Sequence, residues 1–455
     1  MKPKNNWKFK INSKFIVLVF ILLAYLLLTK TEFISGNEKS RYATIESLVE
    51  RSTFVIDNST FIDTNDKALI NGHFYSDKPA LLSIIGAGVY FVLYNIFGLS
   101  LKSNMNLVVL IINFLLVSLP TIVTLYLFYK ILAYLKIREK YQHILVLSLG
   151  LATLALPYAL VFGNHIASAN LSFFAFYLIA KNKFIKLKKF EFCLVGLFLG
   201  LSFAIDIVSG GIFLAAFSVY NIFNLFKSQK DKLLFYFFGA LLPIILYAYL
   251  SISISGDLLP ASMHPEFWDY PGSTFSKENL TGFAAHDSLK SLLIYAFHEL
   301  IGYRGLFSYT PLLLLPLYFL IKSSINKKHQ FSKEALMIIV SIIIIISFYT
   351  FTDKEFGGYS YGMRYFVAFT PLLFFFTAFY FKGDISRKKM KLYFILAFAS
   401  LFIALVGAYN PWADSFGYPA FFNQPIPFLN NLRFIIEDVL NALSPQLLSY
   451  IKELI

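Results

Sequence analysis

Asp77-Lys78-Pro79-Ala80-Leu81-Leu82-Ser83-Ile84-Ile85-Gly86-Ala87-Gly88-Val89-Tyr90-Phe91-Val92-Leu93-Tyr94 opens an apolar run, reaching Gly98, whose reading decides how the chain threads a bilayer. It is long enough to cross a membrane, but it starts on a charged pair and a proline. If it crosses, the basic cluster Lys130, Lys136, Arg138, Lys140 falls outside, and every later cluster changes side with it. If residues 79–98 lie along the interface, the basic clusters collect on the cytoplasmic side and most acids on the other. The positive-inside rule selects this second arrangement.

Working outward, apolar runs of spanning length fall near 15–34, 105–129, 143–163, 165–180, 190–209, 210–226, 232–254, 306–321, 335–352, 364–381 and 391–409. With the amino terminus inside, these make an all-α polytopic bundle of about eleven transmembrane helices with the carboxyl terminus outside. The composition agrees: 57% of the 455 residues are apolar and only 15% charged, against about 25% charged in soluble chains. The basic amino terminus (Lys2, Lys4, Lys8, Lys10, Lys14) precedes an apolar stretch with no small-residue cleavage site, so it reads as an uncleaved first span. The net charge of +14 is scattered in short clusters between spans, which argues against a nucleic-acid partner. The single cysteine, Cys193, lies in an apolar run and reads as a packing residue.

The outer side then holds the long segments 35–104, 255–305, 353–363 and 410–455, and long loops are where sites are built. The first contains Asn37-Glu38-Lys39-Ser40-Arg41-Tyr42. On one helical turn Glu38 shares a face with Arg41 or Tyr42, offering a carboxylate to take a proton and a cation to hold a phosphate. Asp77 or Ser76 is placed to cap the helix that Pro79 begins, and Lys78 beside free helix amides makes an anion site. The second long segment ends in Gly302-Tyr303-Arg304-Gly305, and the third reads Gly357-Gly358-Tyr359-Ser360-Tyr361-Gly362-Met363-Arg364-Tyr365. Both put glycines and aromatics before an arginine at the membrane edge, so three segments offer cations at one depth. His165 sits at the outer end of a helical hairpin, and Asp206 is an acid inside an apolar span, where such residues are costly and often functional. His264, His286 and His298 lack the spacing of a metal motif. After Pro411 the chain becomes amphipathic from Asn431, with Leu432, Ile435, Ile436, Val439, Leu440 and Leu443 at helical spacing, as for an interfacial helix.

These segments resemble those of the GT-C class of glycosyltransferases that use polyprenyl-phosphate sugars, the superfamily of protein O-mannosyltransferases (glycosyltransferase family 39) and of the lipid A aminoarabinose transferase. Glu38 to Tyr42 looks like their first-loop acid-x-x-Arg-Tyr, and Tyr75-Ser76-Asp77-Lys78-Pro79 is similar to their Lys-Pro segment. Arg304-Gly305-Leu306-Phe307 and residues 358–365 resemble segments of bacterial members. The resemblance implies a GT-C-type bundle over 1–409, with interfacial helices in the first outer loop and in the extracytoplasmic tail 410–455. It implies transfer of a sugar, with inversion, from the lipid phosphate to a lipid, glycan or protein hydroxyl. Glu38 would be the base, and Arg41, Lys78, Arg304 and Arg364 would hold the phosphate. Tyr42, Asp77, His165 and Tyr361 would touch substrate. The resemblance fixes no certain cofactor: family members often carry a second acid beside the first, which leaves room for a divalent metal. The chain would then sit in the plasma (inner) membrane with its site on the periplasmic, extracytoplasmic side. A lipid-linked-glycan transporter and a non-catalytic envelope subunit are the alternatives. The first should show ionisable residues along a path through the bundle, and the second no dependence on Glu38 or Lys78.

Overall fold

A computed structural model describes residues 13–33, 35–227, 229–413 and 426–443. Helix α1 (Ser13–Leu28) leads to α2 (Gly36–Arg51), the hairpin strands β1 (Lys67–Ile70) and β2 (His73–Ser76), and α3 (Ala80–Asn95). Then come α4 (Met105–Asn113), a π-turn at Phe114–Ser118, α5 (Leu119–Tyr134), α6 (Glu139–Leu151), α7 (Ala155–Tyr158), α8 (Asn164–Lys181), α9 (Lys189–Ile205), α10 (Ile207–Leu225) and α11 (Lys230–Ser255). After these come α12 (Leu289–Leu300), α13 (Leu306–Tyr309), α14 (Leu314–Ile325), α15 (Ser332–Thr352), α16 (Thr370–Phe374), α17 (Arg387–Tyr409) and α18 (Pro427–Leu443).

Among the described residues six helical stretches are long and apolar enough to cross a membrane: 105–134, α10, α11, α15, 364–381 and α17. The stretch 364–381 is the axis of the bundle, with almost every side chain from Tyr365 to Ala378 buried. The others present lipid-sized apolar side chains outward, such as Phe223 at 83% and Phe238 at 71% exposure, far more than a water-soluble monomer shows. The chain is therefore an integral membrane protein.

Local chemistry explains where the helices break. The expected boundary at 209/210 moves to Asp206, which ends α9 in an extended conformation and caps α10 by accepting the Ser209 amide (3.4 Å). The expected run 143–163 stops at Leu151 and resumes as the short α7, and 306–321 is interrupted at Thr310-Pro311. Helices α9 and α11 lie backbone to backbone: a Cβ on Gly196 would stand 1.9 Å from the Tyr236 carbonyl, and one on Gly239 1.9 Å from that of Cys193. Two further elements complete the fold. Asn71 and Gly72, both at positive φ (50° and 83°), make the two-residue turn of the β1–β2 hairpin, in the register Lys67↔Ser76. The amphipathic α18 packs on α17, with Asn431 buried and its amide donating to the carbonyls of Val406 (3.1 Å) and Asn410 (2.8 Å).

Candidate active site

The hairpin, α2, the start of α8, the α9–α10 turn, the segment after α11 and the loop after α15 meet around a cavity of about 440 Å³. Its floor is stapled by α2. Ser35 caps that helix by accepting the Glu38 amide (3.3 Å), and Arg41 reaches Asn164 at the head of α8 (3.1 Å) and Asn37 on its own helix (3.4 Å). Arg41 is fully buried, yet its Nη1 finds no partner among the described residues, while the side chain lines the cavity. Burial draws its basicity down to about 10, against the pull of Asp77, Asp206 and Asp66 and with the push of Arg364. It remains a cation at neutral pH.

Beside it Lys78 is held between Asp77 (2.6 Å) and Asp66 (2.9 Å). Burial alone would lower the lysine's affinity for its proton, but the two carboxylates outweigh that and raise it. Asp77 is itself pushed up by burial, with Lys78 working the other way. The expected helix cap is not what Asp77 makes: α3 starts without a side-chain cap, and Asp77 instead accepts from Lys78 and Ser40 (3.2 Å). Opposite, the Arg364 guanidinium lies 5.4 Å from the ring centres of both Tyr365 and Trp412. His165 lines the cavity with Nδ1 2.7 Å from Asp206, its ring edge-on to Tyr365 at 5.1 Å.

Arg41, Lys78, Asp77, His165 and Arg364 all line this one cavity. The other four expected residues do not line the cavity. Glu38 is fully buried behind it and accepts the Phe162 amide (3.2 Å), bracing the turn that leads into α8. Tyr42 faces the α4 side, giving its hydroxyl to Asn113 at the start of the π-turn (2.8 Å), and packs between Phe33 and Phe162. Arg304 folds the glycine loop from outside, donating to the carbonyls of Phe356 and Gly358 and to Ser360 Oγ (3.2 Å). Tyr361 is a core residue whose hydroxyl bonds the Ile403 carbonyl (2.7 Å) and whose ring fills the space a side chain at Gly407 would need.

Several residues the sequence reading passed over line the cavity instead. Asp66 directly precedes β1 as Asp77 directly follows β2, and both hold Lys78. Asp353 accepts from Thr281 (3.0 Å), Tyr295 (2.7 Å) and the Gly357 amide (3.1 Å), tying α12 and the segment before it to the end of α15. Trp268 packs on Phe275 (4.6 Å) with its indole nitrogen buried and unpartnered among the described residues. Among the described residues no three His, Cys, Asp or Glu side chains are grouped to hold a metal ion. Lys78 occupies the position between Asp66 and Asp77 that a cation would take.

No protein-family model matches the sequence, and no curated protein does. The fold is that of the GT-C glycosyltransferases. The chain is similar to ArnT from Cupriavidus metallidurans. It matches the apo structure with a TM-score of 0.50 and 15% identity, over 84% of this chain and 61% of that one. It matches the structure bound to undecaprenyl phosphate with a TM-score of 0.52 and 13% identity, over 96% of this chain and 72% of that one. The chain therefore spans about three fifths of the length of the first of these.

Proposed function

We propose that the protein is a membrane glycosyltransferase moving a sugar from a polyprenyl-phosphate carrier to an acceptor hydroxyl at the outer face of the membrane. Supporting it above all is Arg41: a buried guanidinium with an open Nη1, facing a cavity that also holds Lys78 and Arg364. A buried cation with an unused donor is costly unless a ligand completes its bonding, and a phosphate oxygen does so with a charge-assisted hydrogen bond. ArnT, whose fold the chain shares, binds undecaprenyl phosphate.

The reaction follows from this. The acceptor oxygen attacks the anomeric carbon from the face opposite the carrier, inverting it, and the carbon–oxygen bond to the phosphate breaks. Negative charge grows on the departing phosphate, where Arg41, Lys78 and Arg364 offset it; each such pre-placed donor is worth about 3–4 kcal/mol. Trp268 and Phe275 supply an apolar wall against which a sugar ring can stack. The acceptor is a lipid, glycan or protein hydroxyl. The site faces the periplasmic side of the plasma (inner) membrane, with eleven crossings, a cytoplasmic amino terminus and α3 in the interface. Transport of a lipid-linked glycan is less well supported, because Asp206, the acid expected inside a span, caps α10 and binds His165 at the cavity.

Purified protein in lipid nanodiscs, offered labelled hexoses and pentoses on polyprenyl phosphate, is the test. Release of polyprenyl phosphate with label appearing in acceptor or water is expected. Binding of carrier without any turnover across the panel would refute the enzyme reading.

A further inference from the structure

We infer that His165, with Asp206 behind it, takes the proton from the acceptor hydroxyl. This rests on the glycosyltransferase reading above and assigns its base. Of the other carboxylates near the donor, all but the exposed Glu355 already accept at least one hydrogen bond. Glu38 stands behind the cavity on the Phe162 amide. Asp77 accepts from Ser40 and Lys78, Asp66 from Lys78, and Asp353 from Thr281, Tyr295 and Gly357. Glu355 lies at the exposed rim.

His165 differs. Its Nδ1 is 2.7 Å from Asp206 Oδ2, and the other oxygen of Asp206 accepts the Ser209 amide, so this carboxylate faces the ring as an acceptor. Such a partner keeps the proton on Nδ1 and leaves Nε2 with a bare lone pair. Nε2 has no hydrogen-bond partner among the described residues, and the side chain, 10% exposed, lines the cavity. The edge of Tyr365 fixes the ring plane, and Asn164, the preceding residue, is tied to Arg41. The imidazole therefore adjoins the phosphate cradle. The charged groups facing it are Asp206 from the α9–α10 turn, Arg41 from α2 and Arg364 at the head of the axial stretch.

In the step, the acceptor O–H proton passes to Nε2 as the oxygen's electron pair forms the new bond to the anomeric carbon. The bond from that carbon to the phosphate oxygen breaks, and its electron pair leaves with the phosphate. The imidazolium is held by Asp206 until the product departs, when the proton returns to water.

The test compares wild type with His165→Ala, His165→Gln and Asp206→Asn in nanodiscs. It uses turnover of the active polyprenyl-phosphate sugar and binding of undecaprenyl phosphate alone. Both His165 variants should lose about 10²–10⁴-fold in kcat, the range for a general base, while binding undecaprenyl phosphate as wild type does. Imidazole in the buffer should restore part of the turnover of His165→Ala. Asp206→Asn should move the acid limb of the kcat/KM profile to lower pH, because the imidazolium loses its counter-charge. Near-native kcat in His165→Gln, or lost turnover with neither imidazole rescue nor a displaced limb, overturns the assignment while leaving the transferase reading intact. A wild type that binds undecaprenyl phosphate but turns over no donor overturns both.

Discussion

A single arginine shows how little of a site's meaning lies in residue type. Arg41, Arg304 and Arg364 look alike in sequence, each directly beside a tyrosine. Only Arg41 and Arg364 line the cavity, while Arg304 spends its donors on the carbonyls of a loop that turns through three glycines and Phe356 at positive φ. Which way a loop arginine points depends on that backbone path, and no periodicity in the sequence reports it. The same holds for Tyr42 and Tyr361, which are buried by neighbours distant in sequence. Glu38 gives a direct check. As an acceptor for the Phe162 amide it is replaceable by glutamine, so Glu38→Gln should keep turnover near wild type, where loss of a base costs about 10²–10⁴-fold. Steady-state kinetics decide between them, and a collapse of kcat with normal carrier binding would return the base to Glu38.

At the scale of elements, Asp66 could have been found beforehand. Asn71-Gly72 is the strongest short hairpin signal a sequence carries, and a two-residue turn there fixes Lys67 opposite Ser76. One step further out, the same register faces Asp66 with Asp77, the pair that brackets Lys78. The close approach of α9 and α11 is harder to read, since glycines in apolar helices are common and only the partner backbone explains them. Gly196→Ala should destabilise the protein by about 1–3 kcal/mol through overpacking, measured by thermal unfolding in detergent. Helix α12 carries its own signal. Glu299 is buried against Thr350, and burial, with Asp353 adding to it, lifts its carboxyl from 4.5 to about 8. The folded state thus holds this proton more tightly than the unfolded chain. The stability it lends is complete below about pH 4.5 and is lost as pH rises through about 8. Glu299→Gln should flatten that decline, leaving the variant several degrees more stable than wild type at pH 8.5 and little different at pH 4.5. Parallel melting curves at both pH values would contradict this.

For the whole molecule, the class of fold was legible from apolar runs and the placement of charge, because a bilayer tolerates few alternatives to helices. The helix ends were not, since they answer to Asp206, Pro311 and the bends around 151–158. Sidedness is open to a chemical check. With Cys193 replaced by serine, Glu278→Cys in the outer loop should react with a membrane-impermeant maleimide in intact cells, whereas Lys328→Cys, between α14 and α15, should not. Labelling of Lys328→Cys alone would invert the topology. Carrier recognition rests on the buried Arg41 guanidinium, and the affinity of purified protein for undecaprenyl phosphate measures this most directly. Losing one charge-assisted hydrogen bond of about 1.5–3 kcal/mol, Arg41→Ala should bind it at least tenfold more weakly than wild type, with the fold retained. Equal affinity in the two proteins would contradict it.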